Sequence, residues 1–336
     1  MVGDIHGEID ALEALVDRLG YDLHGDHPER RKLVFVGDLC DRGPDSPAVV
    51  ERVRDLVDRR NALCILGNHE LNILRGSQKS GNRWFLDPSH PEQEPEGEFG
   101  HSARIEGTAS SDVLEFFAAL PLALERWDLR VVHAAWVRDA IETVRRSLES
   151  TLDLYEHFED LTRKRIVAEG LEDAAREEEE VWANRLSDKS AAVPLLKASG
   201  RLDEIYQMGN PIRVLTSGVE RLAQRPFFAS GKWRMCDRVR WWNEYDEEIP
   251  VVIGHYWRQL VPIAHSEHAS TKPELFTDEA PHEWVGRRRN VYCVDFSVGA
   301  RYQERNFGTG VFATRLAAMR LPERKLMLSE DWESPT

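Results

Sequence analysis

Apolar residues early in the chain alternate between two spacings. Ile9, Leu12, Leu15, Val16 and Leu19 recur at helical intervals, and residues 32–36 (KLVFV) then form an unbroken apolar run of strand length. The helical stripe returns at Val50, Val53, Leu56 and Val57, and the short run returns at 62–66 (ALCIL). Repetition of strand, loop and helix predicts parallel strand pairing with helices laid on the sheet faces. It also puts the polar loops at the carboxyl ends of the strands, where open α/β sheets hold ligands.

Residues 76–110, rich in Gly, Pro, Ser, His and Glu, read as a surface loop insertion. A helical stretch at 112–120 precedes another buried strand at 129–136 (LRVVHAAW), and shorter strands are expected at 212–215, 249–253 and 291–294. Residues 309–320 fit strand or helix equally. Residues 139–200 are charged and helical, as in a cap-like insertion, and the REEEE of 176–180 suits a solvated helix face. Between 226 and 248, Lys232, Arg234, Arg238 and Arg240 interleave with Phe and Trp. An aromatic core with basic side chains reaching to water is favoured there over a wall that stacks a base.

With 41% apolar and 31% charged residues, the 336-residue chain suffices for one domain over 1–336 with a sizeable core. A net charge of −15 argues against a binder of nucleic-acid backbone. Cys40, Cys64, Cys236 and Cys293 form no CxxC pair, which argues against a disulfide framework and a thiolate metal site. No apolar segment approaches membrane-spanning length and no leader precedes the first motif, so a reducing cytoplasm is the expected compartment.

Chemistry gathers where the apolar runs stop. Val2 leads to Gly3-Asp4-Ile5-His6-Gly7, and the run at 32–36 leads to Gly37-Asp38-Leu39-Cys40-Asp41-Arg42-Gly43. The run at 62–66 leads to Gly67-Asn68-His69-Glu70, 130–132 to His133, and 249–253 to Gly254-His255. One such terminus is weak as a signal, since a histidine after a strand is usually structural; five are not. Asp4, His6, Asp38, Asn68, His133 and His255 offer two carboxylates, one amide and three imidazoles. That set suits Mn²⁺, Fe or Zn²⁺. Six groups exceed one tetrahedral ion, so two ions sharing a carboxylate is the economical arrangement.

GDIHG (3–7), GDLCDRG (37–43), GNHE (67–70), His133 and the GH of 254–255 resemble the motifs of the calcineurin-like metallophosphoesterases. Within them the match is to the phosphoprotein (Ser/Thr) phosphatase branch and its bacterial relatives, including the diadenosine tetraphosphate hydrolases. VYCVDFSVGA (291–300) is similar to that family's closing strand. The resemblance implies an α/β fold: a β-sandwich of mixed sheets flanked by helices in four αββα layers, with a helical insertion. It implies two divalent ions, Mn²⁺ before Fe or Zn²⁺, with Asp4 and His6 on one, Asp38 bridging, and Asn68, His133 and His255 on the other. Such a pair acidifies a shared water, which attacks phosphorus in line. Arg42 and the Asn68 amide would grip phosphate, and His69, oriented by Asp41, would protonate the leaving alkoxide. Glu70 fits a structural anchor as well as a catalytic part. A second phosphate-binding arginine is expected at Arg185 in VWANR, with Arg258 in GHYWR as its rival.

Two departures from the family stand out. Only Met1 and Val2 precede Gly3, so either the first strand is abbreviated or the coding sequence begins further upstream; unpaired ladder groups there would loosen the Asp4/His6 ion. GHYWR also puts bulky Tyr256 and Trp257 beside the site. The resemblance favours a Ser/Thr protein phosphatase-like hydrolase of phosphate monoesters. A nucleotide or dinucleoside polyphosphate hydrolase is the alternative, and a catalytically weak metal-binding scaffold is the non-enzyme reading. The enzyme readings imply a phosphorylated substrate (phosphoprotein, nucleotide or small phosphoester), with neither membrane nor nucleic acid as partner.

Overall fold

The computed structural model describes residues 1–79, 81–85, 102–105, 107, 109–229, 231–260, 275–276, 279–306 and 312–331. The chain forms two compact units, one from Met1–Ala134, Asp246–Pro262 and Asp278–Thr336, the other from Ala135–Tyr245 and Ile263–Thr277. The first unit begins α1 (Ile9–Arg18), β1 (Leu33–Phe35), α2 (Ser46–Asp58), β2 (Ala62–Cys64), α3 (Asn68–Leu74), α4 (Ala109–Ala119), β3 (Ala123–Arg126) and β4 (Leu129–Val132). The second unit holds α5 (Arg138–Arg146), α6 (Thr151–Ala168), α7 (Leu171–Trp182), α8 (Lys197–Met208), α9 (Pro211–Ser217), β5 (Glu220–Ala229) and β6 (Lys232–Arg238). The first then resumes with β7 (Val251–Ile253), β8 (Val291–Cys293), α10 (Arg301–Asn306), β9 (Ala317–Arg320) and β10 (Lys325–Leu328).

Local sequence accounts for the early elements. Helix α2 starts where Asp45 accepts the Ala48 N–H at 2.9 Å, with a proline in the first turn, and it buries Val49, Val50, Val53 and Leu56. Strands β1 and β2 pair in parallel, Leu33 opposite Ala62, as the alternating pattern predicts. Val2 bridges Phe35 in parallel and Ala318 antiparallel, which joins β1 to the antiparallel pair β9–β10. The second sheet runs β3-β4-β7-β8, antiparallel at β3–β4 and parallel elsewhere. Val34, Ile65, Ala317 and Met319 from one sheet share a core with Val131, Val252 and Tyr292 from the other, a sandwich of mixed sheets.

The concern over the first strand is answered by its neighbours. Val2 N–H donates to Val34 O at 2.7 Å and its carbonyl accepts from Val36 N at 3.1 Å. On the other side Gly3 N–H reaches Ala317 O at 3.0 Å and Met319 N–H reaches Met1 O at 2.8 Å. The ladder groups ahead of Asp4 are therefore paired, those of Val2 toward β1 and those of Met1 and Gly3 toward β9.

In the second unit, residues 212–215 are helical within α9, not a strand. Asn210 caps it by accepting Ile212 N–H at 3.0 Å, a proline opens its first turn, and only Arg213 and Ser217 of its seven residues are not buried, so four residues read alone are too short to show the helical period. The helical insertion expected over 139–200 continues through α9 and into the β5–β6 hairpin. Val193, Leu196 and Met235 form its small core with Trp182 and Trp233 packed on it. Two glutamates of REEEE are not simply solvated: Glu178 accepts the Ala198 and Ser199 N–H groups at 2.8 and 3.1 Å, and Glu179 accepts the Ser199 hydroxyl at 2.6 Å. Trp241, Trp242 and Tyr245 are buried, matching the aromatic-core reading of that stretch. The loop expected at 76–110 lies partly outside the described residues, as does the start of 309–320. Among the described residues no helix is long and apolar enough to cross a membrane.

Candidate active site

Five loops of the first unit are stitched together by backbone and carboxylate hydrogen bonds. Ile5 and His6 N–H both donate to Asp38 O, at 2.9 and 3.0 Å, and Gly7 N–H donates to Leu39 O. His69 N–H donates to Asp38 Oδ1 at 3.0 Å, His255 N–H to Asp4 Oδ2 at 3.0 Å, and Gly254 N–H to His133 O at 2.8 Å. Glu70 lies beneath them. Its buried carboxylate accepts the N–H groups of Asp38, Leu39 and Gly67 at 2.9, 2.8 and 3.0 Å, so it ties the second motif loop to the start of α3. The anchor role accounts for this residue.

The packing admits no side chain at two of the glycines. A Cβ on Gly254 would collide with Asp4 Oδ1, and one on Gly67 would collide with Asp38. Strain gathers here too: of eleven described non-glycine residues with left-handed φ, six are His6, Asp38, Asp41, Arg42, His255 and Trp257. Residues in that region cost roughly 1–3 kcal/mol each and persist where surrounding contacts over-determine them, most often at functional sites.

Asp38 is the hub of the polar groups. Its Oδ2 lies 3.3 Å from His133 Nε2 and 3.9 Å from the Nε2 atoms of both His6 and His69. Two groups of donor atoms could each hold a cation, His6–Asp38–His69 and Asp38–His133–His255, and they share Asp38. Asn68 Oδ1 lies 3.2 Å from His133 Nε2. Asp4 belongs to neither trio, but its Oδ1 is buried without a hydrogen-bond partner, as an oxygen reserved for a cation would be. His6 Nδ1 donates to Cys40 O at 3.1 Å and His133 Nδ1 to Val36 O at 2.6 Å. Those carbonyls orient the rings so that each Nε2 faces the centre. This donor set fits the divalent ions that the sequence implies.

Charge follows the same geometry. Burial drives the Asp4 carboxyl well above its usual range, and the neighbouring Asp295 carboxylate pushes the same way. For Asp38, burial alone would act upward, but His133 and His69 overrule it and hold the carboxyl well down. Burial would depress His133, yet Asp38 raises it to about 10. Burial and then Arg42 depress His6. A cation held between Asp38 and His133 would compete with the proton these two groups share, which would couple metal affinity to pH.

The remaining groups assemble around His69. Its Nδ1 donates to Asp41 Oδ2 at 2.6 Å, while Trp84 Nε1 donates to Asp41 Oδ1 at 2.6 Å. Arg42 extends one guanidinium N–H to His6 Nε2 at 3.2 Å and another to His69 Nε2 at 3.1 Å. Thus Asp4, His6, Asp38, Asp41, Arg42, Asn68, His69, His133 and His255 are brought together. Arg258 is not among them: its buried guanidinium donates to Ala280 O and Glu283 O and lies over Tyr292, committed to the interior rather than to a phosphate. Arg185 belongs to the second unit, exposed, with its guanidinium 5.4 Å from the centre of the Trp182 ring.

Three participants are absent from the sequence-based set. Trp84 sits in the loop stretch, where nothing in the sequence marks it. Trp257 stands out there only as bulk. Asp295 falls in the closing strand and is buried, its carboxylate accepting the Trp257 and Ser297 N–H groups at 2.9 and 2.8 Å. An acid at the end of an apolar strand was the available signal.

Comparison with known proteins bears on this site. Two curated bis(5'-nucleosyl)-tetraphosphatases PrpE [asymmetrical] align with short stretches of the chain. The Halalkalibacterium halodurans protein is 46% identical over 72 residues, 20% of this chain and 29% of the relative. The Oceanobacillus iheyensis protein is 42% identical over 86 residues, 25% and 34% respectively. The chain thus spans about a third or less of the length of these relatives. Among solved structures, a protein described provisionally as a diadenosine tetraphosphatase is 18% identical with a TM-score of 0.42, covering 99% of this chain and 93% of the other. A cold-active protein-tyrosine phosphatase of a Shewanella psychrophile is 12% identical with a TM-score of 0.43, covering 98% and 79%. Both TM-scores are too low to bear on function. The profile of the calcineurin-like phosphoesterases matches residues 1–200, well over half of the 336 and inclusive of every motif up to His133. With that match, and with those motifs converging on one centre, the chain belongs to the calcineurin-like phosphoesterase family.

Proposed function

We propose that this protein is a metal-dependent phosphoric ester hydrolase acting on nucleotides, with dinucleoside polyphosphates as the leading class. The observation that carries the hydrolase reading is the sharing of Asp38 between two potential cation trios, beside an arginine and a carboxylate-braced histidine. Nucleotide substrates are favoured because the PrpE relatives are named for that activity. The Ser/Thr protein phosphatase-like reading rests only on motifs that both branches share. A scaffold without turnover has no use for the Trp84–Asp41–His69 chain.

Asp4, His6, Asp38, Asn68, His133 and His255 would hold two divalent ions, with Mn²⁺ the first choice and Fe or Zn²⁺ the alternatives. When bound, these supply Lewis-acid activation of water and neutralise phosphoryl charge. The chain's own residues do the rest. Arg42, whose N–H groups rest against His6 and His69, turns them toward the phosphoryl oxygens when substrate arrives, and the Asn68 amide adds a donor. Once Arg42 leaves it, His69 Nε2 takes up a proton from solvent, Asp41 stabilises that imidazolium through Nδ1, and the ring gives the Nε2 proton to the departing oxygen and returns to neutral imidazole.

A substrate panel tests it. Under identical Mn²⁺ loading, diadenosine tetraphosphate should be turned over with a higher kcat/KM than phosphoserine peptides or mononucleotides. Preference for the peptide would reverse the substrate class, and absence of turnover with every substrate and metal would sink the enzyme. Metal analysis of Asp38→Asn should show loss of both ions rather than one.

A further inference from the structure

The GHYWR loop alternates in exposure. Tyr256 is 4% exposed and Arg258 1%, yet Trp257 between them is 38% exposed. The backbone that produces this is strained, with φ +69° at His255 and +50° at Trp257, a region bulky residues avoid. Asp295 holds it there: Oδ2 accepts the Trp257 N–H at 2.9 Å, and its carbonyl accepts the Arg258 N–H at 2.9 Å. The Arg258 guanidinium, locked under the Ala280 and Glu283 carbonyls, anchors the far side of the turn. A buried carboxylate and a buried arginine therefore maintain a turn whose outcome is one indole set outward.

That indole lies against Arg42, whose guanidinium carbon is 5.0 Å from the ring centre. Arg42 is thus bounded by His6 and His69 at its N–H edge and by the Trp257 ring, over which its guanidinium carbon lies. A cation–π contact restricts where the guanidinium can point, while the exposed remainder of the indole is an apolar surface next to the phosphate-gripping group.

We propose that Trp257 is a specificity-determining residue: it stacks the planar base of the nucleoside phosphate whose phosphoryl group Arg42 grips. This rests on the reading of Arg42 as a phosphate ligand and deepens the nucleotide assignment. Because every base presents a π-face, such stacking selects for a base without demanding a particular one.

Equilibrium dialysis of the Mn²⁺-loaded protein against AMP and against ribose 5-phosphate isolates the base from the phosphate it carries. AMP should bind wild type about tenfold more tightly than ribose 5-phosphate, the scale of one stacked base. Trp257→Ala should remove that advantage and change ribose 5-phosphate affinity by no more than about twofold to threefold, while Trp257→Phe restores most of it. Equal affinity of wild type for both ligands, failure of either to bind, or equal large losses for both in Trp257→Ala would overturn the proposal. If the split appears but diadenosine tetraphosphate is not hydrolysed, the substrate class falls while the stacking role stands.

Discussion

Charged residues are plentiful both in the loops around Asp38 and on helix α6, but they are held in different ways. On the helix, Arg163 pairs with Asp160 and Arg165 with Glu169 one turn away, at 3.1 and 2.8 Å, with every one of these side chains more than 40% exposed. Around Asp38 the partners are distant in sequence and buried: Glu70 reaches back 32 residues to Asp38 N–H, and Asp4 reaches 251 residues to His255 N–H. Screened pairs on a helix surface contribute little, while a buried carboxylate that loses its donors, or donors that lose their carboxylate, incur the full desolvation penalty. Similar charge density thus marks a solvated surface in one region and a built site in the other.

The largest expected effect comes from the proton donor. His69→Ala should lower kcat by roughly 10²–10⁴-fold at full metal loading, read by steady-state kinetics beside metal analysis, because His69 also stands in one of the two potential cation trios. Retention of near-full rate would show that the buried network serves folding alone. Glu70→Gln keeps the shape but removes the charge from an acceptor of three backbone N–H groups. It should destabilise the protein by about 3 kcal/mol in urea unfolding, because an amide nitrogen then faces buried donors. Trp84→Phe leaves Asp41 Oδ1 without its indole donor and should reduce kcat about tenfold, with KM little altered, since the effect passes through the orientation of His69. At the other end of the scale, Arg163→Ala should leave both the urea midpoint and kcat unchanged within error; a clear loss in either would mean the helix surface is less passive than its exposure suggests.

Legibility followed sequence separation. Asp38, Asp41 and Arg42 lie on one short loop, and Asn68, His69 and Glu70 open one helix, so short motifs that resemble the family's were enough to mark them. The two apolar periods predicted the β1–α2–β2 unit from local spacing. Residues 212–215 misled because a seven-residue helix with only Arg213 and Ser217 off its buried face is too short to show its period in four residues. Arg258, three residues past a candidate ligand in sequence, points into the interior because its own turn reverses direction at His255 and Trp257. Trp84 was invisible, since a lone tryptophan in a loop carries no pattern until Asp41 lies 2.6 Å away.

By itself the sequence determined the chemistry on offer: which strand ends carry carboxylates, imidazoles and an amide, and which glycines let them approach. Those are properties of single residues and short spacings. Only the tertiary structure decided that Asp38 is shared, that Glu70 and Asp295 are braces, and that Trp257 faces outward over Arg42. Each of those depends on the distance between segments far apart in the chain, which packing, not local order, sets.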